Sequence, residues 1–145
     1  MTNLTAHIVV PDAAAASAWY AEAFGAQELS RIPLPGGKVM TVELRFGESA
    51  VHVASEFTEM GILSPLTIGG TATVLQIDVE DVDAAWARAL EAGAEAHHPV
   101  ADQFWGERQG QLTDPFGHRW NLAQRTRAVP QEEIVAAAAR AFGAE

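Results

Sequence analysis

With 145 residues, 48% of them hydrophobic and 19% charged, the chain has the size and composition of one globular domain with a real core. Nine Lys and Arg against nineteen Asp and Glu leave a net charge of −10, which repels phosphate backbones and anionic membranes, so neither nucleic acid nor membrane is an expected partner. Cysteine is absent, which removes disulfides, thiolate metal ligands and a thiol nucleophile together.

The opening "MTNLTAHIVVPD" has no basic segment followed by a long apolar run, and no apolar stretch approaches the roughly 20 residues of a membrane span. A cytoplasmic protein is therefore expected. The first strand alternates, with Ile8 and Val10 on one face and His7 and Val9 on the other. Asp12 suits a helix N-cap, and Gly25 suits the left-handed position that ends the helix. Between them lies an Ala-rich segment with a stripe of Ala16, Trp19, Tyr20 and Ala23, expected to be core. Three strands should follow, at about 27–34, 38–46 and 49–55, broken at Pro35-Gly36-Gly37 and at Gly47. Residues 57–70 read as a linker, centred on the Gly- and Pro-rich "SPLTIGG".

The pattern then repeats. "QIDVEDVDAAWARALEAGAE" (76–95) follows the plan of "HIVVPDAAAASAWYAEAFGAQ" (7–27), with Asp81, Trp86 and Gly93 standing where Asp12, Trp19 and Gly25 stood. Its strand has Leu75, Ile77 and Val79 on one face and Gln76 and Asp78 on the other, and its helix carries a stripe of Val82, Ala85, Trp86, Ala89 and Leu90. Strands are expected at about 95–101, 107–114 and 118–124, and the turns "FGES" (46–49) and "FGHR" (116–119) correspond. Each half is βαβββ. Neither half is large enough to bury its own sheet, so the halves form one domain over residues 1–127. Module one is 4–56 and module two 71–124. Residues 128–145 make a C-terminal helix, beginning near Pro130 with Glu132 and Glu133 in its first turn and with Ile134, Ala138 and Phe142 as a stripe.

Paired modules of this kind, and above all "QFWGERQGQLTDPFGHRWNLA" (103–123), resemble the vicinal oxygen chelate superfamily of glyoxalases, bleomycin resistance proteins and dioxygenases, in its PhnB-like branch. The resemblance covers residues 4–124. It implies an α+β fold in which the two modules form a curved mixed-sheet cup with helices outside, commonly within a homodimer. Metal-dependent members place His or Gln on the first and fifth strands and a carboxylate on the fourth and eighth. His7 and Gln76 match the first pair. Asn121 stands where such members carry Glu, and the fourth-strand place falls on Val51 or Val53. One imidazole and two amides hold a divalent ion poorly, so no metal and no other cofactor is expected. Alternation turns the neighbouring His52 toward the helix face unless a bulge intervenes, and Glu56 shares that parity.

In the last strand Trp120 and Leu122 share the apolar face, which sends Arg119 and Asn121 to the other. The expected ligand-binding set is His7, Glu43, Gln76, Phe104, Trp105, Arg108 and Asn121, with His7 also a general-base candidate. Glu43 is included for its parity with Thr41 and Arg45. Phe104, Trp105 and Arg108 are included as an aromatic and cationic rim. His97 and His98, being adjacent in a strand, should face opposite sides. "GESAV" (47–51) misses the nucleophile-elbow pattern and precedes a strand. The functional expectation is a cytoplasmic, homodimeric, metal-free small-molecule-binding protein, concretely one that sequesters a drug or metabolite. The rival is a metal-dependent glyoxalase-like lyase or isomerase, or a dioxygenase, of the same fold, in which His52 or Glu56 completes the ligand set.

Overall fold

A computed structural model describes residues 1–143, so the last two residues of the expected C-terminal segment lie outside the described residues. The element order is β1 (Ala6–Val10), α1 (Ala13–Phe24), β2 (Gln27–Pro33), β3 (Val39–Phe46), β4 (Ser49–Ser55), α2 (Pro65–Ile68), β5 (Val74–Asp78), α3 (Val82–Glu91), β6 (Glu95–Asp102), β7 (Glu107–Thr113), β8 (Arg119–Arg125) and α4 (Gln131–Phe142). The α+β class, the doubled βαβββ plan and the C-terminal helix are as the sequence predicts. The linker is more structured than its Gly and Pro content suggests, since it holds a single 3₁₀ turn (Thr58–Met60) and the short helix α2.

Two four-stranded mixed sheets result, ordered β1-β4-β3-β2 and β5-β8-β7-β6. In each, the first strand runs parallel to the last and the other pairs are antiparallel. The helix caps form as expected. Asp12 accepts from the amides of Ala14 and Ala15, Asp81 accepts from Ala84, and Gly25 and Gly93 have φ of 74° and 113°.

α1 lies on the first sheet, α3 on the second, and the two helices touch each other. The helix-covered faces of both sheets thus share one core, including Val10, Tyr20, Leu44, Val53, Leu112, Trp120 and Leu122. Burying each of the larger of these side chains contributes about 1.5–3 kcal/mol. Gly110 is a packing requirement: a Cβ there would lie 2.8 Å from both the Trp86 ring and Val100, so its absence lets α3 settle onto β7. Leu90, expected on the buried stripe, is 37% exposed, because the α3 face against the sheet is carried by Val82 and Ala89.

A buried polar knot ties the modules together. The Asp114 carboxylate, in the turn before β8, accepts from the Tyr20 hydroxyl on α1, from Trp120 Nε1 at 2.8 Å, and from the amides of Phe116 and His118 at 2.8 and 3.0 Å. His118 Nε2 lies 2.7 Å from the Val9 carbonyl on β1, and Trp19 Nε1 donates to the Ala92 carbonyl at the end of α3. Four donors on one carboxylate offset much of the cost of burying its charge.

Candidate functional site

The faces of the two sheets turned away from the helices each carry a lateral row of polar side chains, set by strand register. In module one His7 pairs with His52 across β1 and β4, and His52 with Glu43 across β4 and β3. The rings of His7 and His52 stack, with centroids 4.6 Å apart and planes 6° from parallel. Ser30 on β2 ends the row, its hydroxyl 3.4 Å from Glu43 Oε1. In module two the equivalent row is Gln76 on β5, Asn121 on β8, Gln111 on β7 and His98 on β6. Gln111 Nε2 donates to Asn121 Oδ1 at 3.0 Å, and Gln76 Nε2 donates to Asp78 Oδ1 at 3.0 Å. His7, Glu43, Gln76 and Asn121 therefore all lie on the open faces.

His52 is where the sequence reading must be corrected. It stands beside His7 on the open face, while Val53 is fully buried and Val51 packs against the core beneath α1. The reason is the parallel β1–β4 register, which places like-facing residues opposite each other, together with the core's demand for the two valines. The fourth-strand position of the site is thus occupied by an imidazole and not by Val51 or Val53. The alternation of "AVHVAS" itself held the signal, since Val51 and Val53 form the same apolar face that Trp120 and Leu122 form in β8.

Glu56 has a different task. Its Oε1 accepts the Ser64 amide at 2.7 Å, and that bond is the first cause holding its carboxyl below the usual glutamate range. It anchors the linker ahead of α2.

Arg108 is also placed otherwise than expected. It shares the β7 face of Gly110 and Leu112, turned toward α3, and its guanidinium pairs with Asp83 at 3.0 Å and Asp102 at 3.4 Å. The bond from Arg108 holds Asp83 below its ordinary value, and Asp83 first, with Asp102, raises Arg108 above its own. Alternation along β7 puts Arg108 on the face opposite Gln111 and Asn121, and the ion pairs hold it there. Phe104 and Trp105 sit edge to face in the β6–β7 turn, centroids 4.9 Å apart, and Trp105 Nε1 donates to Glu107 Oε1 at 2.8 Å. Glu107, which the sequence did not single out, joins Gln76 on the open face.

His97 and His98 do not face opposite ways. β6 slips register on both sides of His98, and the irregularity brings the two rings to 4.4 Å. Loss of surrounding water, then the charges of Arg119 and His98, hold His97 below the usual histidine range.

His7 and Gln76 line different cavities. The one at His7 has a volume of about 390 Å³ and is walled mainly by apolar side chains, among them Leu34, Met40, Ala54, Phe57 and Ile62. The one at Gln76, about 460 Å³, is polar, with Asp78, Glu80, Glu107 and Arg125 around it. The open face of module one is therefore an apolar pocket with an imidazole at its wall, and that of module two is a hydrogen-bonding surface. Among the described residues no three His, Asp or Glu side chains converge as a metal-binding group, and no helix is long and apolar enough to cross a membrane.

Comparison with known proteins agrees with this architecture. An uncharacterised protein of Mycobacterium bovis is 42% identical over 137 residues, covering 92% of this chain and 90% of that one. An uncharacterised protein of Mycobacterium tuberculosis is equally similar over the same length, with 81% of its own chain covered. Among solved structures, TioX from a Micromonospora species is similar at a TM-score of 0.67 and 26% identity, with 89% of this chain and all of that one (100%) aligned. A glyoxalase/bleomycin resistance protein/dioxygenase family enzyme from Burkholderia phytofirmans shares the fold at a TM-score of 0.66 and 23% identity, over 83% of this chain and 96% of that one. The family model for the glyoxalase/bleomycin resistance protein/dioxygenase superfamily matches residues 3–122, and the chain belongs to that superfamily.

Proposed function

We propose that the protein binds a small, largely apolar molecule without a metal, as a homodimer in the cytoplasm, in the manner of a resistance or sequestration protein. The observation that carries this reading is the apolar cavity of about 390 Å³ at His7. Its size and its lining, apolar walls with few polar groups, suit a small organic ligand. The donor chemistry supports the metal-free form. In module two the facing positions of β5 and β8 are the neutral amides Gln76 and Asn121, each already hydrogen-bonded to a neighbour, and the one carboxylate on those strands, Asp78 at the end of β5, is the group that Gln76 engages. The turn and strand of residues 103–123 favour the PhnB-like branch. A homodimer is supported by open sheet edges at β2 and β6 and by apolar groups left exposed on β2 (Leu29, Ile32) and α4 (Val135, Phe142).

The test is a thermal-shift and NMR screen of uncharged apolar compounds against the whole chain and against Ala54→Leu, which fills the cavity. Compounds that perturb the Met40 and Phe57 signals in the first and not in the second support the reading. Equal binding to both removes it. Light scattering should report twice 15.5 kDa, and a monomer at micromolar concentration would dismiss the dimer.

A second reading is favoured by one observation, the pairing of His7 with His52. Two imidazoles side by side, with Glu43 next in the row, are the start of a metal-dependent or general-base site for a lyase, isomerase or dioxygenase. Elemental analysis of protein purified without chelator is expected to give less than about half an equivalent of divalent transition metal per chain. A value near one equivalent, lost in His52→Ala, reverses the order of the two readings.

A further inference from the structure

We propose that module two carries a separate oxyanion subsite, seated on Arg119, for a ligand bearing a carboxylate or phosphate group. It extends the small-molecule reading by assigning the ligand a negative group. The warrant begins with the state of the guanidinium. Arg119 is half-buried and lines a cavity of about 330 Å³, with Thr113 beside it on β7, Thr71 across from it, and Pro65, Leu66 and Gly117 as its walls. Among the described residues Arg31, Arg108 and Arg127 stand in ion pairs, Arg45 and Arg88 donate to neutral oxygens, and Arg125 and Arg140 are exposed, whereas Arg119 is half-buried and in no ion pair, in a chain that carries ten more negative than positive charges. Where carboxylates outnumber cations two to one, a partly desolvated arginine without a carboxylate partner is a seat for an anion from outside.

The surroundings point the same way. Register puts Val74, Arg119, Thr113 and Glu95 in one row across the sheet. Glu95 is the carboxylate of that row, two strands from Arg119 and exposed on the edge. The irregularity in β6 brings the His97 ring against His98, and His97 feels the charge of Arg119. The cavity is also a built one. α2 rests directly on the turn before β8, where a Cβ on Gly117 would meet Pro65 Cβ at 2.8 Å. Gly117, with φ of 92°, is thus the only kind of residue that permits both the turn and the wall. Thr113 and Arg119 together can offer a hydroxyl and a planar guanidinium to two oxygens of one group, while Asn121, two residues along the same face of β8, meets the neutral part of the ligand.

The experiment titrates the full chain with benzoate, phenyl phosphate and the uncharged isostere benzamide, followed by backbone and histidine-ring NMR signals. Benzoate or phenyl phosphate is expected to perturb Thr113, Gly117, Arg119 and His97 and to bind at least about tenfold more tightly than benzamide. Which of the two oxyanions binds better identifies the group. Arg119→Gln should lose about tenfold in affinity for the charged probes and none for benzamide, while Arg119→Lys should keep part of it. Equal binding of benzoate and benzamide, unchanged binding in Arg119→Gln, or perturbations centred on Arg125 instead would overturn the proposal. If Arg119→Gln does not fold, the benzoate-to-benzamide ratio in the unaltered chain and in Arg119→Lys decides alone. Uncharged compounds at Met40 and Phe57 with no charged probe at Arg119 would sink this subsite and leave the cavity of module one standing. The converse result would keep Arg119 and remove the other.

Discussion

The two modules have one backbone plan and two chemistries. Strand register places His7, His52 and Glu43 on β1, β4 and β3, and the same register places Gln76, Asn121 and Gln111 on β5, β8 and β7. The first row is two imidazoles and a carboxylate beside an apolar cavity. The second is three amides, two of them bonded to each other. A repeat therefore conserves where side chains point, because pleat and register are properties of the backbone, and leaves their chemistry free. The inner faces differ as well. Val51 and Val53 hold the positions under α1 that Trp120 and Leu122 hold in β8, and only Trp120 sits in an aromatic cluster, with Tyr20, Phe24 and Phe46 within 5.4 Å between ring centroids.

The largest effect should come from that inner asymmetry. Trp120→Ala is expected to cost about 3–5 kcal/mol of stability in urea denaturation, and Val51→Ala, its counterpart in the repeat, about 1 kcal/mol. Equal costs would mean the core is shared evenly between modules. Next is the knot that joins them. Asp114→Ala strands the Tyr20 hydroxyl and the Trp120 N–H without partners and should cost about 2–4 kcal/mol, whereas Glu43→Ala, at a half-buried place on the open face, should change stability by less than about 0.5 kcal/mol.

The knot also carries a pH signature. Burial first, and then the charge of Asp114, raises the Tyr20 hydroxyl well above the ordinary tyrosine value. The unfolded chain then releases that proton at lower pH than the folded one, so the stabilisation is complete below about pH 10 and declines as pH rises beyond it. Denaturation curves from pH 8 to 11 should show this loss in the unaltered protein, and a flatter profile in Tyr20→Phe. The smallest effect is at the outer row. Asn121→Ala breaks one part-buried bond to Gln111 and should cost about 0.5–1.5 kcal/mol at most while leaving the fold intact. Should Asn121→Ala unfold the chain while Trp120→Ala is harmless, β8 faces the other way and the comparison of rows collapses.

Much of this was legible in the residues. Asp12, Gly25, Asp81 and Gly93 act locally, through capping bonds and left-handed backbone, and so the helices ended where the sequence placed them. The six hairpin strands lie within two residues of the expected spans for a similar reason, since the turns at Gly36-Gly37, Gly47 and Gly117 are written in single residues. The outward aim of Asn121 followed from the alternation of Trp120, Asn121 and Leu122, a period that belongs to one strand alone.

What required the tertiary structure were contacts between distant segments and departures from regular alternation. The facing of His52 was open to the alternation of Val51, His52 and Val53, but its place beside His7 was not, because β4 pairs in parallel with β1, more than forty residues earlier in the chain. Alternation along β7 sets Arg108 on the face of Gly110 and Leu112, but its partner there, Asp83 on a helix 25 residues away, is a choice made by the fold. The rings of His97 and His98 met because β6 slips register against β7, a departure that Pro99, with no N–H for the ladder, signals in the sequence without saying where the rings go. Periodicity and capping are short-range and can be read along the chain. The choice of partner is made only when strands and helices from both modules compete for the same core, and that competition decided which polar groups remained to form a site.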